Sequence, residues 1–553
     1  MYSSRDRSDP LSGERRSFLA IGILVNCFKY SRKIHSRQSD SPFTQAFLQG
    51  ILHLMSEVVR SYDELERLVQ KTYKNPDLES LRRAFALADK AHEGEVRLTG
   101  HPVITHPLAV AYRLAEMGLH LNVVVAGLLH DVVEDSPVSI EDLKAQFGED
   151  VAGLVEAVTK LKHGIKYRGA ERYAENMRKM FLAMASDVRV VFMKFADRLH
   201  NLETLYGQPK HKQERIARES LEIYAPIAGR LGMSEIKGEL EDGSFAYLQP
   251  KEFERMKNIM DIKVREKGAY VSRIIDSVEK FLTATSIEDF QVHGRIKRLY
   301  SLYKKLNKYQ GDLSKIYDLI AIRMIVSDVE ECYMALGLLH QHWRPVPGRI
   351  KDYIAQPKPN GYQSLHTTVF TENGEIVEFQ IRTLEMHELA EYGVASHWRY
   401  KEGSSKPMRN TRWMEELAQI QKELQSKKDF MEQLEVMKID VFKDRIFVFT
   451  PQGDVIDLPE GATPVDFAYA IHTEVGNKCT AARVNEVMRN LDTTLQSGDI
   501  VEVITDKNRR GPNPDWLKFA KTRHARSKIK DSTHHTVKGW FAEVLKGREK
   551  AKK

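Results

Sequence analysis

The chain has 553 residues, 42% hydrophobic and 29% charged, which is globular composition with material for about three to five domains. Three widely spaced cysteines, Cys27, Cys332 and Cys479, exclude a disulfide framework and a cysteine zinc site within one chain, and fit a reducing compartment. The net charge of +7 is terminal: residues 506–553 hold 15 Lys and Arg against 5 Asp and Glu, residues 1–50 hold 8 against 4, and the middle is acidic.

Residues 1–50 read as an extension of undetermined structure. Its apolar run Phe18 to Phe28 is too short to span a bilayer, and Lys29, Arg32 and Lys33 follow it without a signal-peptide cleavage site. The Arg- and Ser-rich start has some transit-peptide character, against which Asp6, Asp9, Glu14 and Asp40 weigh. The expected compartment is the cytoplasm, with a plastid as the alternative, and no membrane contact is expected.

Residues 51–205 read as successive amphipathic helices, with Val123–Val133 and Val188–His200 strongly apolar. The helix pattern continues through Leu128–Asp135, placing His130, Asp131, Glu134 and Asp135 in apolar surroundings. Such charge is unfavourable there unless a metal or a reaction compensates it. On one continuous helix His130 shares a side with Glu134, and Asp131 with Asp135. His106 lies upstream in Thr105-His106-Pro107-Leu108 and Asp197 downstream in another apolar helix. Two His and two Asp from three helices suit a divalent ion such as Mn²⁺, which leaves Glu134 and Asp135 to handle the attacking water. Singly, each part reads more simply as a surface pair or an ion pair. The ordered combination points to chemistry.

The text from Ala91-His92 through Arg97-Leu98-Thr99-Gly100 to Asp197-Arg198-Leu199-His200-Asn201 resembles the HD-type hydrolase domain of the RelA/SpoT homologue family. These enzymes make and destroy the guanosine alarmone (p)ppGpp. The resemblance implies an all-α domain that hydrolyses (p)ppGpp to GDP or GTP and pyrophosphate with Mn²⁺, with Arg97, Asn201 and Thr204 holding the nucleotide. Four positions depart from the family text: Leu98 and Glu203 where basic residues are usual, Val103 near an expected aromatic, and Arg298 in place of a His. Leu98 and Glu203 remove positive charge near a pyrophosphate, so weakened hydrolysis is expected.

Residues 206–285 read as charged connecting helices, and residues 286–405 as an α+β domain. Leu319–Val326 is a buried-strand run, and Thr367–Phe370 with Ile376–Ile381 flank a hairpin turn at Glu372-Asn373-Gly374. Arg295, Lys297, Lys304 and Lys305, with Tyr300 and Ser301 between them, place several cations at a helix start and its next turns, an arrangement suited to polyphosphate. Asp318 precedes one apolar strand and Glu378 sits inside another, where a carboxylate is paired or functional.

The loop from Gly348 to His366, with Tyr317–Arg323 and Glu378–Thr383, resembles the synthetase domain of the same family, of nucleotidyltransferase-like fold. The resemblance implies transfer of pyrophosphate from ATP to the 3′-OH of GDP or GTP. Asp318 and Glu378 would hold Mg²⁺, and Glu378 would also take the proton. Arg295, Lys297, Ser301 and Lys305 would bind ATP. Tyr362 would stack on guanine, with Asn360 and His366 orienting the acceptor and Lys358 and Gln363 in the same loop. Arg349-Ile350-Lys351-Asp352 is the basic form of a loop that accompanies bifunctional members.

Residues 406–440 read as a helical linker. Residues 441–505 resemble a TGS domain of β-grasp shape, in which His472 is the RNA-contact candidate. The basic tail 506–553 interleaves Trp516, Phe519, Trp540 and Phe541, so uncharged tRNA and the ribosome are candidate partners. The zinc-finger-like and ACT-type regions usual further along such proteins are not among these residues, which puts full ribosomal regulation in doubt, whether the chain is a short form or part of a longer one. Two alternatives to a bifunctional enzyme are a synthetase with a regulatory HD domain and a tRNA or ribosome sensor. Opposed reactions in one chain would waste ATP unless coupled antagonistically, through 206–285 on this reading.

Overall fold

The computed structural model describes residues 59–162, 187–396 and 445–532, apart from 317, 359, 497 and 510. The extension 1–50, the linker 406–440, Tyr317, Trp540 and Phe541 lie outside the described residues.

The first unit is all helical: α1 (Tyr62–Thr72), α2 (Leu78–Ala91), α3 (Thr105–Glu116), α4 (Leu121–Leu129), α5 (Val132–Asp135), α6 (Ile140–Lys162) and α7 (Val188–Glu203). Starts are well specified. Ser61 and Glu64 form a capping box on α1, and Asp77 and Asp187 cap α2 and α7. The helix expected through Leu128–Asp135 instead breaks at His130-Asp131. The His130 ring hydrogen-bonds the Gly127 carbonyl (2.8 Å), the acceptor that the amide of residue 131 would use in a continuing helix. His130 and Glu134 therefore lie on separate helices.

The connecting stretch holds α8 (Lys210–Glu219), α9 (Ala225–Arg230), α10 (Ser234–Leu248) and α11 (Pro250–Thr283). It divides between two cores rather than forming a third. Ile236 and Leu240 belong to the core of the first unit, while Phe245, Phe253 and Met256 belong to that of the second, so α10 passes from one to the other.

The second unit is a mixed sheet of order β1-β2-β6-β5-β3, with β4 paired to β5. Its strands are β1 (Gln291–Ile296), β2 (Ile320–Val326), β3 (Arg344–Pro345), β4 (Lys351–Asp352), β5 (Leu365–Phe370) and β6 (Ile376–Thr383). Only β2 and β6 run parallel, and every residue of β2 is buried. Helices α13 (Val329–His342) and α14 (Leu384–Tyr392) pack on it together with α11, while α12 (Leu299–Lys308) packs on α10 and α11. The β5–β6 hairpin turns through Glu372–Gly374 as the sequence indicated. Arg295 is not at a helix start: it lies in β1, paired opposite Ala321, and α12 begins at Leu299.

The C-terminal unit has two small sheets, β7–β8 (Arg445–Phe449, Val455–Pro459) and β10–β9–β11 (Val487–Arg489, Cys479–Val484, Val501–Thr505), bridged at Phe449–Ile500. A helix, Pro464–Ile471, starts from a Thr463–Asp466 capping box. Asp466 also accepts the amides of Lys521 and Thr522, fastening the tail to this unit. Trp516 is correspondingly buried against Val465, Ala468 and Tyr469, so it is not a stacking platform for RNA bases. Among the described residues no helix is long and apolar enough to cross a membrane.

Candidate active sites

In the helical unit, the crossing of α3 and α4 brings the first site together. A Cβ on Gly127 would lie 2.5 Å from Leu114 Cδ1 and 3.5 Å from the Ala111 backbone, so glycine permits the close approach that sets His130 beside His106. Asp197 enters from the middle of α7. His106, His130 and Asp197, all buried, each offer a ligand atom within 4.8 Å of the others, a set that could hold a metal ion. Asp131 Oδ2 lies 3.3 Å from His130 Nε2 and 3.6 Å from His106 Nε2, and Asp197 Oδ1 lies 3.4 Å from His106 Nε2. The four residues converge.

Surrounding contacts aim these ligands. With its Nδ1 on the Gly127 carbonyl, His130 directs Nε2 inward. His106 Nδ1 sits 2.9 Å from Nδ1 of His200, whose burial, then His106 and Arg97, hold it well below the usual imidazole range. A neutral His200 leaves His106 Nε2 to face the carboxylates. Asp197 is held on both oxygens, by Lys194 (3.2 Å) and Asn201 (2.6 Å). Arg97 donates to Thr204 (3.0 Å) on the rim. Glu134 and Asp135 follow on α5; Asp135 is exposed, 4.0 Å from His92.

The second site lies on one face of the sheet. Asp318 Oδ2 takes both Lys297 and Lys305 at 2.5 Å; burial works against the anion, but the two ammoniums prevail and hold it at about 2. Burial and the Asp318 charge work against the Glu378 anion, but its contacts with His366 and Gln380 prevail and hold it below the usual carboxylate range. A chain of contacts links the rest. Arg295 donates to Gln380 (2.9 Å) and Gln380 to Glu378 (3.1 Å). His366 lies 3.2 Å from Glu378 and 2.8 Å from the Tyr362 hydroxyl. Lys358 lies 4.6 and 4.8 Å over the Tyr353 and Tyr362 rings, and burial, then Lys351 and Lys237, bring it to about 8. Carboxylate oxygens of Asp318 and Glu378 are the hard donors of this site, the type a divalent cation takes.

Other residues stand further out. Ser301 is one turn before Lys305 on the same face of α12. Asn360 accepts the Tyr362 amide (3.3 Å), and Gln363 reaches the Ile354 carbonyl at 3.4 Å, so both brace the loop. Arg349 and Lys351 are exposed at its edge. His472 is exposed too, at the junction of two short helices rather than within one, where Nδ1 accepts the Glu474 amide (3.2 Å).

Family models match in three places: an HD domain over residues 84–234, a region found in RelA / SpoT proteins over 294–405, and a TGS domain over 446–505. A bifunctional (p)ppGpp synthase/hydrolase, SpoT, of Escherichia coli K12 is 44% identical over 474 residues, 85% of this chain and 67% of that protein. The chain belongs to the RelA/SpoT family. It is also 46% identical to a GTP pyrophosphokinase of Myxococcus xanthus, over 84% of this chain and 61% of that one. A guanosine-3′,5′-bis(diphosphate) 3′-pyrophosphohydrolase of Aquifex aeolicus is 45% identical over 85% of this chain and 66% of its own length. This RelA/SpoT chain thus spans about three fifths to two thirds of these relatives.

Sequence reasoning passed over His200, Lys194 and Gln380. His200 and Gln380 stood inside the family text; a buried Lys three residues before Asp197 was a usable signal for the third. Glu203 does not simply subtract charge from the helical site of this RelA/SpoT chain. It pairs with Arg113, which also binds Glu239 (2.8 Å), so its carboxylate is answered locally.

Proposed function

We propose that the chain is a bifunctional alarmone enzyme, with synthesis at the sheet site and hydrolysis at the helical site. Convergence of both residue sets within one chain carries the reading. Its domains are then the hydrolase at 51–205, connecting helices at 206–285, the synthetase at 286–405 and a TGS domain at 441–505, followed by the basic tail.

In synthesis, the 3′ oxygen of GDP or GTP bonds to the β-phosphorus of ATP, the bond from that phosphorus to the α–β bridging oxygen breaks, and AMP leaves. Glu378, oriented by His366 and Gln380, takes the hydroxyl proton. Lys297, Lys305 and Arg295 offset charge on the moving phosphates, with Ser301 beside them. Tyr362 stacks on guanine; Asn360, Gln363 and His366 fix the acceptor loop, and Lys358, Lys351 and Arg349 supply its positive edge. In hydrolysis, water attacks the phosphorus bonded to the 3′ oxygen, releasing pyrophosphate and GDP or GTP. Glu134 and Asp135 handle the protons, while Arg97, Asn201 and Thr204 hold the nucleotide. His106, His130, Asp131 and Asp197 would hold Mn²⁺, and Asp318 and Glu378 would hold Mg²⁺; when bound, these ions would supply Lewis acidity toward water and phosphate oxygens.

The basic Arg349-to-Asp352 loop supports two activities rather than synthesis alone. Uncharged tRNA and the ribosome are the partners we assign to the TGS domain through exposed His472 and to the basic tail, and the cytoplasm is the compartment. Turnover by the purified chain tests the reading. Pyrophosphate should be released from ppGpp with Mn²⁺, and AMP from ATP plus GDP with Mg²⁺. Synthesis without hydrolysis would instead favour a regulatory HD domain.

A further inference from the structure

Helix α12 carries Ser301 and Lys305, yet its own first residues do not cap it. The N-cap position is Arg298, whose side chain cannot accept a hydrogen bond, and no local side-chain cap is present. The acceptor arrives from α10, 58 residues earlier in the chain. Asp242 Oδ1 takes the Tyr300 amide at 2.9 Å. Asp242 is only 2% exposed. Burial pushes its carboxyl up to about 7 although the Tyr300 amide pulls it down, which is unfavourable for a residue that merely fills the core.

Arg298, one of the departures from the family text, fixes this contact sideways. Its guanidinium pairs with Glu235 and lies 3.9 Å from Asp242. Its side chain crosses α10 at Gly238, where a Cβ would stand 2.8 Å from Nε. Lys304 adds a second tie, to Glu241 (3.2 Å).

The same face of α10 is fastened to the hydrolase unit. Glu235, Glu239 and Asp242 fall at i, i+4 and i+7, one side of a helix. Glu239 between them binds Arg113 of α3, the helix of His106, and Arg113 binds Glu203 of α7, the helix of Asp197.

We propose that Asp242 is a positioning residue for synthesis, capping α12 from a helix anchored on the hydrolase unit and so setting where Lys305 meets Asp318 and the ATP phosphates. The proposal rests on the synthetase reading of the sheet site.

The experiment compares Asp242→Ala and Asp242→Asn in the full chain. Asn keeps a good cap acceptor and Ala has none. The Ala variant should lose about 5- to 10-fold in synthetic kcat, the Asn variant no more than about twofold, and ppGpp hydrolysis should hold in both. Hydrogen exchange of the Leu299 to Ser301 amides should quicken in the Ala variant alone. That readout remains valid if the wild-type chain makes no (p)ppGpp, an outcome that would sink the synthetase reading and not the cap. Equal losses with Ala and Asn, parallel loss of hydrolysis, or unchanged synthesis and exchange in Asp242→Ala would each overturn the proposal.

Discussion

His366 Nδ1 lies 3.2 Å from Glu378 Oε1, while its other ring nitrogen takes the Tyr362 hydroxyl at 2.8 Å. Burial is the main reason that His366 titrates below the usual imidazole range, so at neutral pH it is an uncharged bridge that can donate to Glu378 while accepting from Tyr362. The proposed base and the proposed guanine platform are thereby fixed to each other. His366→Ala is expected to lower synthetic kcat by about 10²-fold, the lower end for general-base chemistry, with hydrolysis unaffected. AMP release at saturating ATP and GDP checks it; an unchanged rate would remove His366 from the mechanism.

On the hydrolase side, His200 orients His106 through a 2.9 Å contact between ring nitrogens. Outer partners of metal-bound imidazoles are worth about 10- to 100-fold in affinity. His200→Ala should weaken Mn²⁺ binding by that factor in calorimetric titration, and raising Mn²⁺ should restore part of the activity.

Gly127 is the steric condition for the same site. Gly127→Ala forces a methyl against Leu114 Cδ1 at 2.5 Å, and overpacking of this kind costs about 1–3 kcal/mol. Urea unfolding should register that loss, and Mn²⁺ affinity should fall with it to the extent that α4, rather than the Leu114 side chain, moves to relieve the clash and carries His130 away from His106.

Acid should destabilise the synthetase unit. Burial, then Arg323 and Arg382, bring His293 to about 3; burial, then Arg382, bring His387 to about 2, with Glu391 opposing in both. Unfolded imidazoles titrate near 6.5, so below that pH the unfolded chain binds protons that the folded chain does not. Stability is full above about 6.5 and declines as pH falls toward the folded values, by about 1–2 kcal/mol per histidine between pH 7 and 5. The urea midpoint should drop across this interval, and less steeply in His293→Gln.

Strands and helices were legible wherever burial followed one period. The all-buried β2, the β5–β6 hairpin and α7 stand close to where the sequence pattern put them. The break at His130 was not legible, because it depends on one imidazole taking a backbone carbonyl from its own helix. The cluster of His106, His130 and Asp197 could be named from motif text, while His200, Lys194 and Gln380 act through contacts that span up to 94 residues or sit inside a strand. Arg298 read as a departure from the family text; only the notch at Gly238 shows what it holds. The RNA-stacking expectation for Trp516 failed because the tail packs its indole into the C-terminal core.

The central claim is that two separate sets of residues in one chain run opposed reactions, and paired single substitutions test it most directly. In the purified protein, Asp318→Asn should abolish AMP release from ATP plus GDP with Mg²⁺ while leaving Mn²⁺-dependent release of pyrophosphate from ppGpp, and Asp197→Asn should do the reverse. Loss of both activities from either substitution, or survival of synthesis in Asp318→Asn, would contradict it.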